Sequence, residues 1–171
     1  MIKNQDIKKF RTTRKKFLVD MKIDYENTLE NWSKYRNPIR IMINYTVVMF
    51  CRYLPPSGLK NSLYRMIGIT IGRNVAIGNM VLLDPFYPEL IILEDNCMLG
   101  WGMTIFTHEF LHNRVRFGSV IVGKSSLVGQ FSVVRPGTTI GEKSTVAAMS
   151  YVNKDVKRNA VVGGVPIKRI R

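Results

Sequence analysis

The 171 residues contain two imidazoles, His108 and His112, and both sit in the stretch Thr107-His108-Glu109-Phe110-Leu111-His112. An imidazole, with an ordinary pKa near about 6.5, can take the proton of a hydroxyl as that oxygen attacks an electrophile. Two carboxylates are candidates to orient the His108 ring or to bind acceptor hydroxyls: Glu109 beside it and Asp84 upstream. The spacing does not choose between them. His112 need not share a face with His108 and reads as a surface residue. There is no nucleophile-elbow motif, so nothing in the chain calls for a covalent intermediate on a serine. The two cysteines, Cys51 and Cys97, provide neither a disulfide framework nor metal-ligand spacing. Two histidines in one loop also fall short of a three-histidine zinc site with an open position for water, and symmetric repetition does not change that. No metal is expected.

The element that must position His108 is a repeat. From Ile71 onward an aliphatic residue returns every six positions: Ile71, Ile77 and Leu83, then Leu93, Leu99 and Ile105, then Val122, Val128, Val134, Ile140, Val146 and Val152. Glycine often follows it, as at Gly72, Gly78, Gly100, Gly123, Gly129 and Gly141. The fifth position is mostly small or β-branched, for example Val75, Cys97, Ser126, Ser132 and Ser144. A period of six fits neither the 3.6 of a helix nor the two of a lone strand, but it suits short strands joined by sharp corners. The aliphatic and small residues then face inward, and glycine permits the turn. The expected fold is an all-β solenoid, a parallel β-helix of hexapeptide repeats. The register breaks twice. About four residues are inserted around Asp84-Pro85-Phe86-Tyr87-Pro88, and about eleven from roughly Phe106 to Gly118. Insertions in a stacked coil must bulge outward as loops, and His108 stands where the longer one departs.

These residues carry a family resemblance. The segments IGRNVAIG (71–78), LEDNCMLGWGMTIFTHEF (93–110), VRPGTTIGEKSTVAAMSYVNKDV (134–156) and VVGGVPIKRI (161–170) resemble the hexapeptide-repeat acyltransferases of the sugar O-acetyltransferase, maltose and galactoside acetyltransferase type. The resemblance spans about residues 55 to 171. It implies a left-handed coil, a three-sided prism and a homotrimer. It also implies acetyl-CoA as donor and transfer of the acetyl group to a hydroxyl of a saccharide or cell-envelope glycan precursor. His108 falls at the family's catalytic histidine, with Glu109 or Asp84 assisting, and backbone N–H groups around Gly129 are candidates for the oxyanion. Tyr87, Phe110 and Trp101 are aromatic candidates for stacking on a sugar ring. For the donor, the resemblance implies Gly129, Gln130 and Ala148 along the pantetheine arm. It implies Asn153 and Lys154 near the far end of the coenzyme, and Lys168 with Arg169 at phosphate. Gln130 stands where relatives often have Ser or Ala, Asn153 replaces Thr, and Leu127 lies where sugar acetyltransferases often have Trp.

Composition sets the remaining bounds. With 26 Lys and Arg against 12 Asp and Glu, the formal charge is +14. That excess favours anionic partners such as phosphate-bearing small molecules or acidic lipid surfaces. No recognition module supports specific nucleic-acid binding. The chain divides into a basic arm and helices over 1–56, the β-helix over 57–157 with its loop at 106–118, and a C-terminal segment, a tail or short helix, over 158–171. Lys3, Lys8, Lys9, Arg11, Arg14, Lys15 and Lys16 crowd the start, read as a solvated arm. Phe10, Phe17, Leu18 and Met21 form a weak helical stripe, and Asp24–Tyr35 is expected as a second short helix. The apolar run Ile39–Leu54 is too short to cross a bilayer, which needs about 20 residues. It can lie on the β-helix, on a partner or on an anionic membrane surface. A short helix over Leu59–Met66, stopped by Gly68, would cap the open coil. The absence of an apolar leader segment at the start points to the cytoplasm, and the basic arm with the apolar helix would suit an acceptor at the inner membrane face. The competing reading is a non-catalytic β-helix scaffold whose basic arm does the binding.

Overall fold

The aliphatic residue of each hexad closes a strand of two or three residues and stacks on its counterparts one coil away. In the computed structural model, which describes residues 4–24 and 27–170, the coils build a parallel β-helix with three faces. One face aligns Ile71, Leu93, Val122, Ile140 and Val156. The second aligns Ile77, Leu99, Val128, Val146 and Val162, and the third Leu83, Ile105, Val134 and Val152. All of these side chains are buried in one continuous core. The small fifth-position residues are buried too, and their hydroxyls close the corners, with Ser126 donating to the Gly123 carbonyl at 2.5 Å and Ser144 to that of Gly141 at 2.6 Å. A buried hydroxyl without such an acceptor would be costly.

The corner glycines are required for a different reason than the expected one. The left-handed backbone of the turns falls two residues later, on Asn74, Ser125, Phe131, Lys143 and Met149, with φ between 53° and 56°. At Gly129 a Cβ would stand 2.4 Å from the amide nitrogen of Ala148 in the next coil, and at Gly100 2.5 Å from that of Gln130. Close approach of stacked backbones selects glycine here, rather than conformational freedom. The tail also differs from expectation. A coil shortened by two residues places Val156 beside Ile140 and Val162 beside Val146, so the solenoid continues through strand Val161–Gly163, which pairs antiparallel with Lys168–Arg169.

Two helices cover the open end. Helix α2 (Pro38–Tyr53) begins at Asn37, whose side chain accepts from the amides of Ile39 and Arg40, with Pro38 in the first turn. Helix α3 (Gly58–Met66) begins at Ser57, which accepts from the Lys60 amide. The first coil has no strand beneath it, so carbonyls on its open edge lack amide partners from a sheet neighbour. Side chains of α3 supply them. Lys60 Nζ donates to the carbonyls of Gly78 at 2.7 Å and Leu54 at 2.9 Å, Asn61 to Val75 at 2.9 Å, and Arg65 to Ile71 at 3.1 Å and Gly72 at 3.0 Å. Lys60 is fully buried, and burial pulls its pKa down. Lys60→Met strands two carbonyls and is expected to lower stability by about 2 kcal/mol. Thermal unfolding should show a Tm drop of roughly 4–8 °C.

The N-terminal region and the long insertion fold together, which the sequence reading did not anticipate. The insertion is a hairpin, His108–Leu111 against Arg114–Gly118, and Leu18–Lys22 adds a third antiparallel strand along its outer edge. Helix α1 (Asn4–Thr13) ends before Phe17. Its Ile7 and Phe10 join Tyr35, Tyr87, Leu90, Ile92, Val115 and Phe117 in a second core. The arm is therefore anchored, not merely solvated. The helix expected over Asp24–Tyr35 is reduced to one 3-10 turn, Trp32–Lys34. Residues 25–26 of that expectation, and Lys3, lie outside the described residues.

Candidate active site

Leu83 and Ile105 are neighbours in register on the third face, so the two insertions that follow them leave the coil at the same corner, one above the other. That stacking brings Asp84 to His108. Asp84 is fully buried, and its Oδ2 accepts from His108 Nδ1 at 2.5 Å, the Thr107 amide at 2.6 Å and the His108 amide at 3.1 Å. Its Oδ1 accepts from the Phe86 amide at 2.7 Å. Burial alone pushes the Asp84 carboxyl up, but the His108 ring and the Thr107 and Phe86 amides outweigh it and hold the group below the usual carboxylate range. An ionised carboxylate can only accept, so Nδ1 carries a proton, and in the neutral ring the lone pair then falls on Nε2. The ring lies against Phe86, with centroids 4.2 Å apart, and Phe110 at 4.8 Å. It is held from both sides with Nε2 as its basic atom, as a proton acceptor requires.

The geometry separates the two carboxylates that the spacing left open. Glu109 does not meet the ring, because it is bound by Arg116 at 2.5 Å and Arg135 at 3.1 Å, and Arg116 also reaches Asp20 at 2.9 Å on the N-terminal strand. Asp84, read as a substrate contact, is occupied by His108 and three amides. Tyr87 is not available for stacking on a sugar. It is 1% exposed, its hydroxyl donates to the Tyr35 carbonyl at 2.7 Å, and Phe117 packs against its ring. Gly129 is no free oxyanion donor either, since its amide donates to the Val146 carbonyl at 2.8 Å within the sheet. His112 is exposed beyond strand His108–Leu111.

The donor candidates fall into two groups. Gln130 and Ala148 are exposed on successive corners between the second and third faces, stacked by the Met149 amide donating to the Gln130 carbonyl at 2.9 Å. Trp101 is exposed one coil away on that corner, its carbonyl accepting from the Phe131 amide at 2.9 Å. Lys154, Lys168 and Arg169 line one cleft of about 270 Å³ at the last coil, with Lys157 and Arg158. Asn153 is half-buried just before it, and its Oδ1 has no partner. No described contact joins either group to His108. Sequence reasoning missed Phe86, Arg116 and Arg135. Phe86 stands in the first insertion, two residues after Asp84, and only the stacking of the two insertions would have pointed to it. Among the described residues no cluster of His, Cys, Asp and Glu could hold a metal.

Comparison with known proteins agrees with the repeat. The family model described as "Hexapeptide repeat of succinyl-transferase" matches residues 119–154. YvoF of Bacillus subtilis (strain 168), whose name places it among the acetyltransferases, is 34% identical over 142 residues, covering 81% of this chain and 83% of that protein. The galactoside O-acetyltransferase of Escherichia coli (strain K12) is 32% identical over 111 residues, 60% of this chain and 53% of that protein. Among solved structures, a hexapeptide-repeat acetyltransferase from Vibrio cholerae in complex with acetyl coenzyme A superposes with a TM-score of 0.62 at 18% identity, over 84% of this chain and 88% of that one. The repeat, the coil and the length of the match to YvoF converge: the chain belongs to the hexapeptide-repeat acetyltransferases.

Proposed function

We propose that the chain transfers the acetyl group of acetyl-CoA to a hydroxyl of a saccharide or cell-envelope glycan precursor, with His108 as general base. The observation that carries this reading is the Asp84–His108 pair, a buried carboxylate fixing Nδ1 so that Nε2 can accept a proton. In the proposed step the acceptor O–H proton passes to Nε2 while the oxygen forms a bond to the thioester carbonyl carbon. The C–S bond then breaks, and the leaving thiolate recovers the proton from His108. Asp84 stabilises the imidazolium between these transfers, as a buried carboxylate does beside a catalytic histidine. Glu109 ties Arg116 of the hairpin to Arg135 of the coil and so helps to fix the hairpin that carries His108. The likeness to a galactoside O-acetyltransferase supports a sugar hydroxyl as acceptor, and exposed Trp101 remains a candidate to pack on it.

For the donor, we assign the pantetheine arm to the corner of Gly129, Gln130 and Ala148, and the phosphates to Lys154, Lys168 and Arg169, with Asn153 beside them. The basic cleft at the last coil supports that assignment, because phosphate oxygens need Lys or Arg as partners. Lys168→Ala is expected to raise KM for acetyl-CoA about tenfold with kcat little changed, as loss of uniform binding does. Steady-state kinetics with varied acetyl-CoA would check it, and an unchanged KM would move the phosphate site elsewhere. We further propose a left-handed coil and a homotrimer. Trp101, Phe131 and Met149, exposed one above another on the same corner, support a subunit contact there. Light scattering of the native chain would test the trimer. A coenzyme A thioester as donor, together with two unpaired thiols, favours a cytoplasmic reaction.

A further inference from the structure

Helix α2 is apolar on both sides. Its inner face, Ile41, Asn44, Val48 and Cys51, packs on the β-helix. The opposite positions, Ile39, Met42, Ile43, Phe50 and Tyr53, recur at helical spacing and are between 51 and 72% exposed. Leu59 and Met66 of α3 are exposed as well, at 62 and 74%. A helix with apolar residues all round is ordinarily covered. What covers this one is indicated by charge. Residues 31–83 contain no Asp or Glu; of their seven cations, Lys60 is buried and Arg36 and Arg73 pair with Glu89 and Asp95, while Arg40 and Arg52 lie on α2 itself. Arg40 and Arg52 flank the outward stripe. Arg40 donates to the Ile67 carbonyl and Arg52 to the Met49 sulfur, so no described contact matches either charge with a carboxylate. The proposed trimer makes its contact at the corner of Trp101, Phe131 and Met149, and a second copy meeting the α2 face across a two-fold axis would set Arg40 and Arg52 against their own counterparts, which like charge disfavours.

We propose that the outward face of α2, extended by Leu59 and Met66, docks on an anionic lipid bilayer, lying in the headgroup region with Arg40 and Arg52 toward the lipid phosphates. Among the described residues no helix is long and apolar enough to cross a membrane. An amphipathic helix that lies in the interface needs only an apolar face with cations at its margins. Tyr45 and Tyr53 add the amphipathic rings that favour the headgroup level. The docking helix is also tied to the catalytic corner. Asn44 of α2 is fully buried and donates to the Pro85 carbonyl at 2.8 Å, one residue from Asp84. A glycan precursor carried on a lipid would therefore be presented to the same end of the molecule that holds the base.

The test is co-sedimentation of the full chain with vesicles of phosphatidylcholine alone and of phosphatidylcholine with about a quarter phosphatidylglycerol. Binding to the anionic vesicles is expected to be at least about tenfold stronger, and part of it should persist at about 0.5 M salt because the apolar face is inserted. The double variant I43E/F50E should lose about tenfold or more of that binding with unchanged circular dichroism, elution volume and thiol release with a soluble acceptor. Four results would overturn the proposal. One is no binding of the native chain to anionic vesicles at low salt. Two more are complete release of the native chain by about 0.5 M salt and equal binding by the variant, either of which would assign adhesion to the basic arm alone. The fourth is a variant whose oligomer dissociates, which would show that another copy covers the face.

Discussion

Replacing His108 with alanine is expected to reduce acetyl transfer by about 10²–10⁴-fold while leaving the fold and the KM for acetyl-CoA close to native. A hydroxyl in water is a poor nucleophile, and no other imidazole is positioned to take its proton, since His112 is exposed beyond the first hairpin strand. The fold should tolerate the loss because Asp84 keeps three amide donors, from Phe86, Thr107 and residue 108 itself, when the ring is gone. The ring is only 14% exposed and packs on Phe86 and Phe110, so its loss also opens a small cavity and should lower stability by about 1–3 kcal/mol without unfolding the chain. Two controls separate chemistry from structure. The unfolding transition of the variant should stay cooperative, and added imidazole should restore part of the rate. Full activity in the variant would remove His108 from the reaction.

Asp84→Asn is expected to damage both activity and stability, the latter by roughly 2–4 kcal/mol. Both carboxylate oxygens face donors: Oδ2 faces three N–H groups and Oδ1 one. An asparagine must turn its NH₂ toward one set or the other, so a donor meets a donor in a buried place in either orientation. If the ring responds by adopting the other tautomer, Nε2 carries the proton and ceases to be a base. A carboxylate-to-amide change beside a catalytic histidine on that account costs on the order of 10⁴ in rate in the serine-protease case. The pH dependence follows from the same contacts. Because the folded pKa of Asp84 lies below its unfolded value, the ionised group contributes stability that is fully present above about pH 4 and is lost as pH falls through the folded pKa. The gap in unfolding free energy between native protein and Asp84→Asn should therefore be widest near neutrality and narrow as the pH drops below about 4. A gap independent of pH in urea unfolding would mean that Asp84 is not held as an anion.

The coil was legible because it has a period. Twelve aliphatic residues in register leave one solution, and each is buried beside the counterpart that the sixfold spacing assigns. The Asp84–His108 pair was half legible. Leu83 and Ile105 end consecutive triplets of the repeat, so the insertions after them had to emerge at one corner, yet Glu109 competed as the sequence neighbour. What decided against Glu109 was the hairpin: antiparallel pairing places Glu109 opposite Arg116, while His108 stands opposite Phe117. That hairpin was not legible, because its third strand, Leu18–Lys22, comes from ninety residues upstream and carries the weak helical stripe of Phe17, Leu18 and Met21. Pairing with a distant edge overrode a local preference. Tyr87 misled for a related reason: an aromatic residue in a surface insertion looks available, but here the insertion folds back under the N-terminal helix and its hydroxyl finds the Tyr35 carbonyl. The shortened last coil was hidden because Val156 and Val162 keep the right residue type after two residues are lost.

The most direct test of the proposed activity is release of coenzyme A thiol from acetyl-CoA by the native chain, across a panel of saccharides and glycan precursors. Turnover with at least one acceptor is expected, yielding a product whose new acetyl group is cleaved by neutral hydroxylamine as an ester is. An amide product would keep the enzyme but replace O-transfer with N-transfer. No thiol release with any acceptor, together with no acetyl-CoA binding by calorimetry, would contradict the account and leave the β-helix as a platform without chemistry.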